Sequence, residues 1–162
     1  MLRAFDASSI IHAWDNYPLV QFPPLWKWMA REISAGQFVM PKVAFEEVDV
    51  RAPDCSHWLR QNHVRRIEVT NAIVQEALRI KGMLGIEGDN YHPAGVGEND
   101  ILIVATALVE GLELVSNEGR QNNLPKNPAK RKIPAVCEME GVDVPCLDFL
   151  ALITRSGEVF ES

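Results

Sequence analysis

Four acidic side chains lie where predicted buried strands end or predicted helices begin, and they are Asp6, Glu47, Asp100 and Glu118. The carboxyl ends of parallel strands share one edge of an open α/β sheet, and ligands bind at that edge. Carboxylates delivered to the same edge repel one another, so they need protons or a hard cation to coexist. The sequence therefore predicts a Mg²⁺ or Mn²⁺ site, and a site of acids alone is typical of phosphate chemistry.

Each of these acids also has an ordinary structural explanation. Asp6 precedes a small hydroxyl pair and an apolar helix, so it could simply cap that helix. Asp100 could be a first-turn acid that the helix dipole favours. Ser116 stands two residues before Glu118 and could orient a water or a neighbouring carboxylate, or it could belong to a polar turn. The joint occurrence of the acids favours a shared site over these separate explanations.

The second acid has an acidic neighbour, because Glu46 directly precedes Glu47. Adjacent residues point about 100° apart on a helix, so only one of the two can easily face the site. Val43 and Glu47 are four apart and share a face, whereas Phe45 and Val48 are expected to be buried. This spacing favours Glu47 as the ligand and Glu46 as a solvated neighbour.

Composition excludes several other classes of protein. The chain has 162 residues and 47% hydrophobic residues, which fits one globular domain over residues 1–162. No apolar run is long enough to cross a membrane, and Asp6 comes too early for a secretory signal, so a cytoplasmic protein is expected. The three cysteines form no Cys-x-x-Cys motif and are expected to be reduced, and the four histidines lack the spacing of zinc ligands.

The charge is unevenly distributed along the chain. A net charge of −6 argues against a general nucleic-acid binder. Residues 119–133 nevertheless contain five bases and no acid: Arg120, Lys126, Lys130, Arg131 and Lys132. This basic loop is either solvated surface or a phosphate-binding segment. Because it begins next to Glu118, phosphate binding is weighed equally with the solvated surface.

Predicted strands and helices alternate along the chain. Strands are expected at residues 2–5, 38–40, 66–69, 112–115 and 142–146. Helices are expected near residues 10–14, 25–34, 41–48, 53–60, 71–83, 100–110, 134–139 and 149–154. This alternation predicts an α/β fold, a three-layer α/β/α sandwich around a mostly parallel sheet of four to five strands.

The order of these elements resembles the PIN domain (PilT N-terminus-like) ribonucleases over nearly the whole chain. The resemblance rests on the segments FDASSI at 5–10, VAFEEV at 43–48, ENDILIVATA at 98–107 and LVSNE at 114–118. It implies that the four acids hold one or two Mg²⁺ or Mn²⁺ ions and that Ser8 and Ser116 support them. Asn99 is a further candidate for such support. The chain departs from the family pattern at Glu118, where Asp is more usual, and in the longer loop that follows.

The resemblance also implies a substrate and partners. Segments 132–137 and 147–150 are similar to a branch related to bacterial toxin nucleases, which implies RNA as substrate, an antitoxin protein as partner and a homodimer. The predicted function is a metal-dependent endoribonuclease that acts as the toxin of a toxin–antitoxin pair, with the basic loop holding the RNA backbone.

The alternative function is a catalytically weak or inactive module that binds RNA or protein without metal. An Asp-nucleophile phosphohydrolase ranks lower, because that chemistry usually needs a second acid where Ser8 stands. A two-component receiver ranks lower still, because no acidic pair precedes Asp6 at the end of the first strand.

Overall fold

A computed structural model describes residues 2–161 of the chain. Its five strands form one parallel sheet in the order β3-β2-β1-β4-β5. The strands are β1 (Arg3–Phe5), β2 (Phe38–Pro41), β3 (Arg65–Ile67), β4 (Glu113–Val115) and β5 (Cys146–Leu147). The predicted α/β sandwich with a central parallel sheet is confirmed.

In the described part of the chain, eight α-helices connect and cover these strands. They are α1 (Ala7–Asn16), α2 (Pro23–Ser34), α3 (Lys42–Arg51), α4 (Pro53–Gln61), α5 (Asn71–Met83), α6 (Glu98–Glu110), α7 (Ile133–Cys137) and α8 (Phe149–Ser156). A 3₁₀ turn, Pro128–Lys130, lies inside the basic loop. Within residues 2–161, no helix combines the length and the apolar character needed to cross a bilayer.

The sheet reverses its strand order beside β1. From β1 the chain adds β2 and then β3 on one side, and it returns through α5 and α6 to place β4 on the other side. Ala4 consequently pairs with both Val39 and Leu114. In a doubly wound sheet, the crevice at such a reversal is where ligands bind. A ligand site is therefore expected at the carboxyl ends of β1 and β4.

The strands are apolar because helices cover them. Parallel strands that are covered on both faces read as continuous apolar runs, and Phe5, Phe38 and Leu114 are all buried here. The rings of Phe5 and Phe38 lie 5.0 Å apart on neighbouring strands. Trp26 and Trp28 of α2 are also buried, as expected of core residues.

Polar caps set the starts of four helices. Asp6, Thr70 and Asp148 each accept a hydrogen bond from the backbone N–H three residues ahead. Helix α6 begins at Glu98, two residues before the predicted start. Asp100 there accepts a hydrogen bond from the N–H of Gly97 at 2.9 Å, and glycine has no side chain to return it.

The prediction was wrong for the last strand and displaced for the third. Residues 142–145 are not a strand, because the N–H of Val144 donates to the carbonyl of Cys137 at 3.0 Å instead of to the sheet. Pro145 has no N–H to donate, although its carbonyl accepts from Leu114 at 2.8 Å. Pairing therefore begins only at β5. Strand β3 lies about one residue before the predicted segment 66–69.

Candidate functional site

Asp6 is the most deeply buried acid of the candidate site, with 2% of its surface exposed. It directly follows β1 and caps α1, and its N–H donates to the carbonyl of Val115 on β4 at 3.0 Å. Its carboxylate accepts hydrogen bonds from the Ser116 hydroxyl at 2.5 Å, the Ser9 N–H at 2.8 Å and the Ser8 hydroxyl at 2.7 Å. Burial raises the pKa of Asp6, although these hydrogen bonds act to lower it.

Ser8 and Ser116 form a hydroxyl pair around Asp6, with their oxygens 3.5 Å apart. Each hydroxyl oxygen accepts a backbone N–H from the segment after β4: Ser8 from Asn117 at 3.0 Å and Ser116 from Glu118 at 3.2 Å. Both hydroxyls are thus free to donate their own protons to Asp6. The backbone after β4 therefore fixes the orientation of a carboxylate that lies 110 residues earlier in the chain.

Glu118 lies three residues after β4 and is half-buried. Its Oε2 accepts a hydrogen bond from the N–H of Ile133, the first residue of α7, at 3.2 Å. Burial and then the negative charge of Asp100 raise the pKa of Glu118 to about 7, while Ile133 and Lys132 act to lower it. The basic loop thus folds back so that its last residues contact the acid at its start.

Asp100 lies in the first turn of α6. Burial raises its pKa, and the hydrogen bond from Gly97 acts in the opposite direction. The neighbouring Asn99 is exposed, and its side chain makes no hydrogen bond to any residue between 2 and 161. The supporting role of Asn99 remains a prediction.

Glu47 and Glu46 have different surroundings in the structure. Burial raises the pKa of Glu47 first, followed by the charges of Asp100 and Asp6, whereas Arg51 lowers it from 3.9 Å. The Glu46 side chain is 59% exposed and lies 3.9 Å from Lys42. Helix α3 packs against α1 and α6, so the face that carries Glu47 is turned toward the other acids.

The four predicted acids lie within electrostatic range of one another. Asp6 and Asp100 each raise the pKa of both Glu47 and Glu118. Among the residues that the structure describes, Arg51 is the only base that forms an ion pair with any of the four. No group of three or more acids, histidines or cysteines in residues 2–161 is close enough together to hold a metal ion. The donors are near each other but are not gathered into a coordination shell.

The chemistry of these donors fits a hard divalent cation. All four are carboxylates, and oxygen ligands are those that Mg²⁺ and Mn²⁺ prefer. The raised pKa values of Glu47 and Glu118 arise in part from the charges of Asp100 and Asp6, and a bound cation would offset this repulsion. The ligand assignment and the number of ions remain predictions.

The five bases of the basic loop differ in their surroundings. Lys126, Lys130 and Lys132 are exposed and form no ion pair with residues 2–161, and Lys132 is near enough to lower the pKa of Glu118. Arg120 lies 3.4 Å from Glu138 and donates to the carbonyl of Cys146 at 3.1 Å. Arg131 is half-buried, and its Nε has no hydrogen-bond partner in the described part of the chain.

Sequence reasoning missed two residues beside the acids. Arg51 lies next to Glu47, and its spacing of four residues along a helix was the available signal. Asn117 accepts a hydrogen bond from the N–H of Phe149 at 3.0 Å and so links the end of β4 to the start of α8. Nothing in the local sequence indicates that second contact.

Two of the cavities in the described part of the chain bear on the location of the site. One, of about 300 Å³, adjoins the acids and is lined in part by Ser116, Asn117 and Glu118. The other, of about 860 Å³, is mostly apolar and lies between the start of α2 and α8, where Phe22 and Ile153 line it. None of the predicted site residues lines the larger cavity, so its size does not make it the candidate active site.

A family model described as "Domain of unknown function (DUF4411)" matches residues 4–160, nearly the whole chain. This chain belongs to the DUF4411 family. Among curated proteins, none gives a significant match to this DUF4411 sequence. The family description names no activity, so the residues of the site are what indicates the function.

Solved structures define the fold of this DUF4411 protein. It matches a chain of VapBC2 from Rickettsia felis, which was crystallised with a DNA fragment from the promoter, at a TM-score of 0.54 and 12% identity, covering 92% of this chain and 99% of that one. It matches PAE2754 from Pyrobaculum aerophilum at a TM-score of 0.52 and 16% identity, covering 96% and 88%. The fold of this DUF4411 chain is PIN-like, as the sequence predicted.

Proposed function

We propose that this protein is a metal-dependent endoribonuclease that hydrolyses phosphodiester bonds of RNA. The observation that carries the proposal is the group of four carboxylates at the β1–β4 edge, in which the charges of Asp6 and Asp100 raise the pKa of Glu47 and Glu118. Within residues 2–161, Glu47 is the only one of the four that forms an ion pair with a base. Such a group is poorly stable by itself and well suited to a divalent cation.

In this proposal the four acids hold one or two Mg²⁺ or Mn²⁺ ions. When bound, the ion supplies Lewis-acid stabilisation of the charge that develops on the scissile phosphate. Asp6 is held in place for this role by the hydroxyls of Ser8 and Ser116, which fix both of its oxygens. Glu118 keeps one oxygen on the Ile133 N–H, which leaves its Oε1 to face a ligand or water.

The basic residues bind the RNA backbone. Lys132 is the base of the loop that adjoins the acids, and Lys126 and Lys130 are exposed and unpaired within the described residues. Arg120 and Arg131 are assigned to the same backbone contacts, with Arg120 exchanging its pairing with Glu138 for a phosphate. These contacts predict binding that weakens as salt concentration rises.

The cellular setting is part of the same proposal. We assign the protein to the cytoplasm as the toxin of a toxin–antitoxin pair, with a cognate antitoxin as partner and a homodimer as the assembly. The fold match to a chain of VapBC2 supports this setting. Co-expression with the neighbouring reading frame, followed by growth measurement, tests the antitoxin directly.

The test of the nuclease function is cleavage of a pool of transfer RNA and messenger RNA in Mg²⁺, in Mn²⁺ and in EDTA. The wild type is compared with Asp100→Asn, which removes a charge but keeps an oxygen to accept the Gly97 N–H. The matched control is Glu46→Gln, which removes the same charge from an exposed residue. The proposal is supported if the wild type and Glu46→Gln cleave RNA only when metal is present and Asp100→Asn does not cleave it. Full activity in Asp100→Asn would refute the assignment of the site.

The same experiment separates the alternative function. A folded protein that binds RNA equally well in EDTA and in Mg²⁺, and cleaves it in neither, would be an RNA-binding or protein-binding module. That result would leave Asp6 with its role as the N-cap of α1 and Asp100 with its place in the first turn of α6.

A further inference from the structure

The cavity of about 300 Å³ shares one wall with the candidate active site. It lies between the segment after β4 and the junction of β5 with α8. The residues around it include Asn117, Glu118, Arg120, Pro134, Cys146 and Asp148. Because Glu118 belongs to both sites, a group in this cavity would lie directly beside a phosphate at the acids.

We propose that this cavity binds one nucleobase of the RNA, next to the bond that is cleaved. The inference rests on the proposed nuclease function and adds to it a subsite that reads the substrate. The proposed subsite consists of an apolar wall, a hydrogen-bonding edge and a cationic residue beside the cavity.

The charges of the cavity favour a neutral base over a phosphate. Glu118 and Asp148 both line it, so an anion inside would meet two carboxylates. Arg120 also lines the cavity, and it is an exposed side chain that already reaches Glu138 and the Cys146 carbonyl. A nucleotide satisfies both features when its base enters the cavity and its phosphate stays outside, against Arg120.

The walls supply both kinds of contact that a base needs. Pro134, Cys146 and Leu147 offer an apolar surface for the face of a ring. Asn117 uses its Oδ1 to accept from Phe149, which leaves its amide N–H groups to donate. Asp148 uses its Oδ1 for the N–H of Ala151 and has its other oxygen free to accept. Every base edge carries donors and acceptors that can meet such a pair.

The size of the cavity limits what can enter. A volume of about 300 Å³ is at the lower end of ligand pockets, enough for one nucleotide unit but not for a base pair. The base that occupies it must therefore be unpaired and turned out of its stack.

Gly119 offers a position at the cavity where a side chain can begin without a clash at its Cβ. It lines the cavity, a Cβ at this position would meet no atom within 4 Å, and its backbone is outside the left-handed region. Gly119→Trp should therefore occupy the space in a folded protein. Gly119→Ala is the control for losing the glycine, and Gly82→Trp is the control for adding an indole, because Gly82 is equally open and lies outside the cavity.

The experiment is equilibrium dialysis in EDTA of the full chain against each of the four ribonucleoside 5′-monophosphates and against inorganic phosphate. The expected result is one nucleotide per chain, bound at least about tenfold more tightly than phosphate because the base buries apolar surface against Pro134, Cys146 and Leu147. Gly119→Trp should lose about tenfold or more in nucleotide affinity, and both control variants should bind like wild type. Thermal unfolding of each variant verifies that it is folded.

Several outcomes would overturn the proposal. They are nucleotide binding no tighter than phosphate binding, unchanged binding by a folded Gly119→Trp protein, and no nucleotide binding by the wild type. Because no cleavage is measured, failure of the nuclease function is separate. Nucleotide binding without RNA cleavage would refute the nuclease function and support the nucleobase subsite. RNA cleavage without nucleotide binding would support the nuclease function and refute the subsite.

Discussion

Glu118→Gln should stabilise the metal-free protein at neutral and alkaline pH and leave it almost unchanged near pH 4.5. The pKa of Glu118 is raised from an ordinary value of 4.5 to about 7 by burial and by the charge of Asp100. Between these two values the folded protein binds a proton that the unfolded chain has released. The free energy of unfolding must therefore fall as pH rises through this interval.

The structure sets the magnitude of this effect. A shift from 4.5 to about 7 corresponds to at most about 3 kcal/mol of lost stability once the group is ionised. Glu118 is only half-buried, so solvent screening reduces the expected gain in Glu118→Gln to about 1–2 kcal/mol at pH 8. For a chain of 162 residues this is a rise in melting temperature of about 3–6 °C. Glutamine keeps an oxygen for the Ile133 N–H, so no hydrogen bond needs to be lost.

The assay is thermal and urea unfolding in EDTA at pH 5, 6, 7 and 8, with wild type, Glu118→Gln and the exposed control Glu46→Gln. The advantage of Glu118→Gln should grow with pH, and the control should remain parallel to wild type. Millimolar Mn²⁺ should reduce or reverse the advantage, because the ion stabilises only a protein that keeps its ligand. A Glu118→Gln protein that is less stable than wild type at pH 8 in EDTA would refute the reasoning.

Substitutions at three further positions test contacts around the site. Ser116→Ala removes the shortest hydrogen bond to buried Asp6 and should cost about 1–3 kcal/mol in urea unfolding, together with weaker Mn²⁺ binding by calorimetry. Gly95→Ala places a Cβ on the carbonyl oxygen of Ala129, so it should lower the melting temperature by several degrees, and an unchanged melting temperature would show that the loops separate freely. Asp148→Ala should lose about 1 kcal/mol in urea unfolding, whereas Asp148→Asn should retain most of it, since asparagine also caps helices.

Local sequence was enough to locate most elements, because their signals act over a few residues. Thr70 and Asp148 each cap a helix by accepting an N–H three residues ahead, and Gly111 ends α6 in a left-handed conformation. The last strand was misplaced because local signals do not indicate that the N–H of Val144 bonds to the carbonyl of Cys137 and not to the sheet. A run of apolar residues does not reveal which partner its N–H groups will choose.

The candidate site shows the same division. The sequence alone placed Asp6 at the end of a buried strand, Asp100 at the start of a helix and Glu118 after a strand, because apolar periodicity and capping are local properties. It also showed that Glu46 and Glu47 could not both face one site.

Only the tertiary structure decided which groups meet. The placement of β4 beside β1 brings the Ser116 hydroxyl to Asp6 across 110 residues, and the packing of α3 turns Glu47 inward. The raised pKa of Glu118 is likewise a tertiary property, because burial and the charge of Asp100 come from distant segments. Capping acts between neighbours in the chain, whereas desolvation and Coulomb repulsion act between neighbours in space.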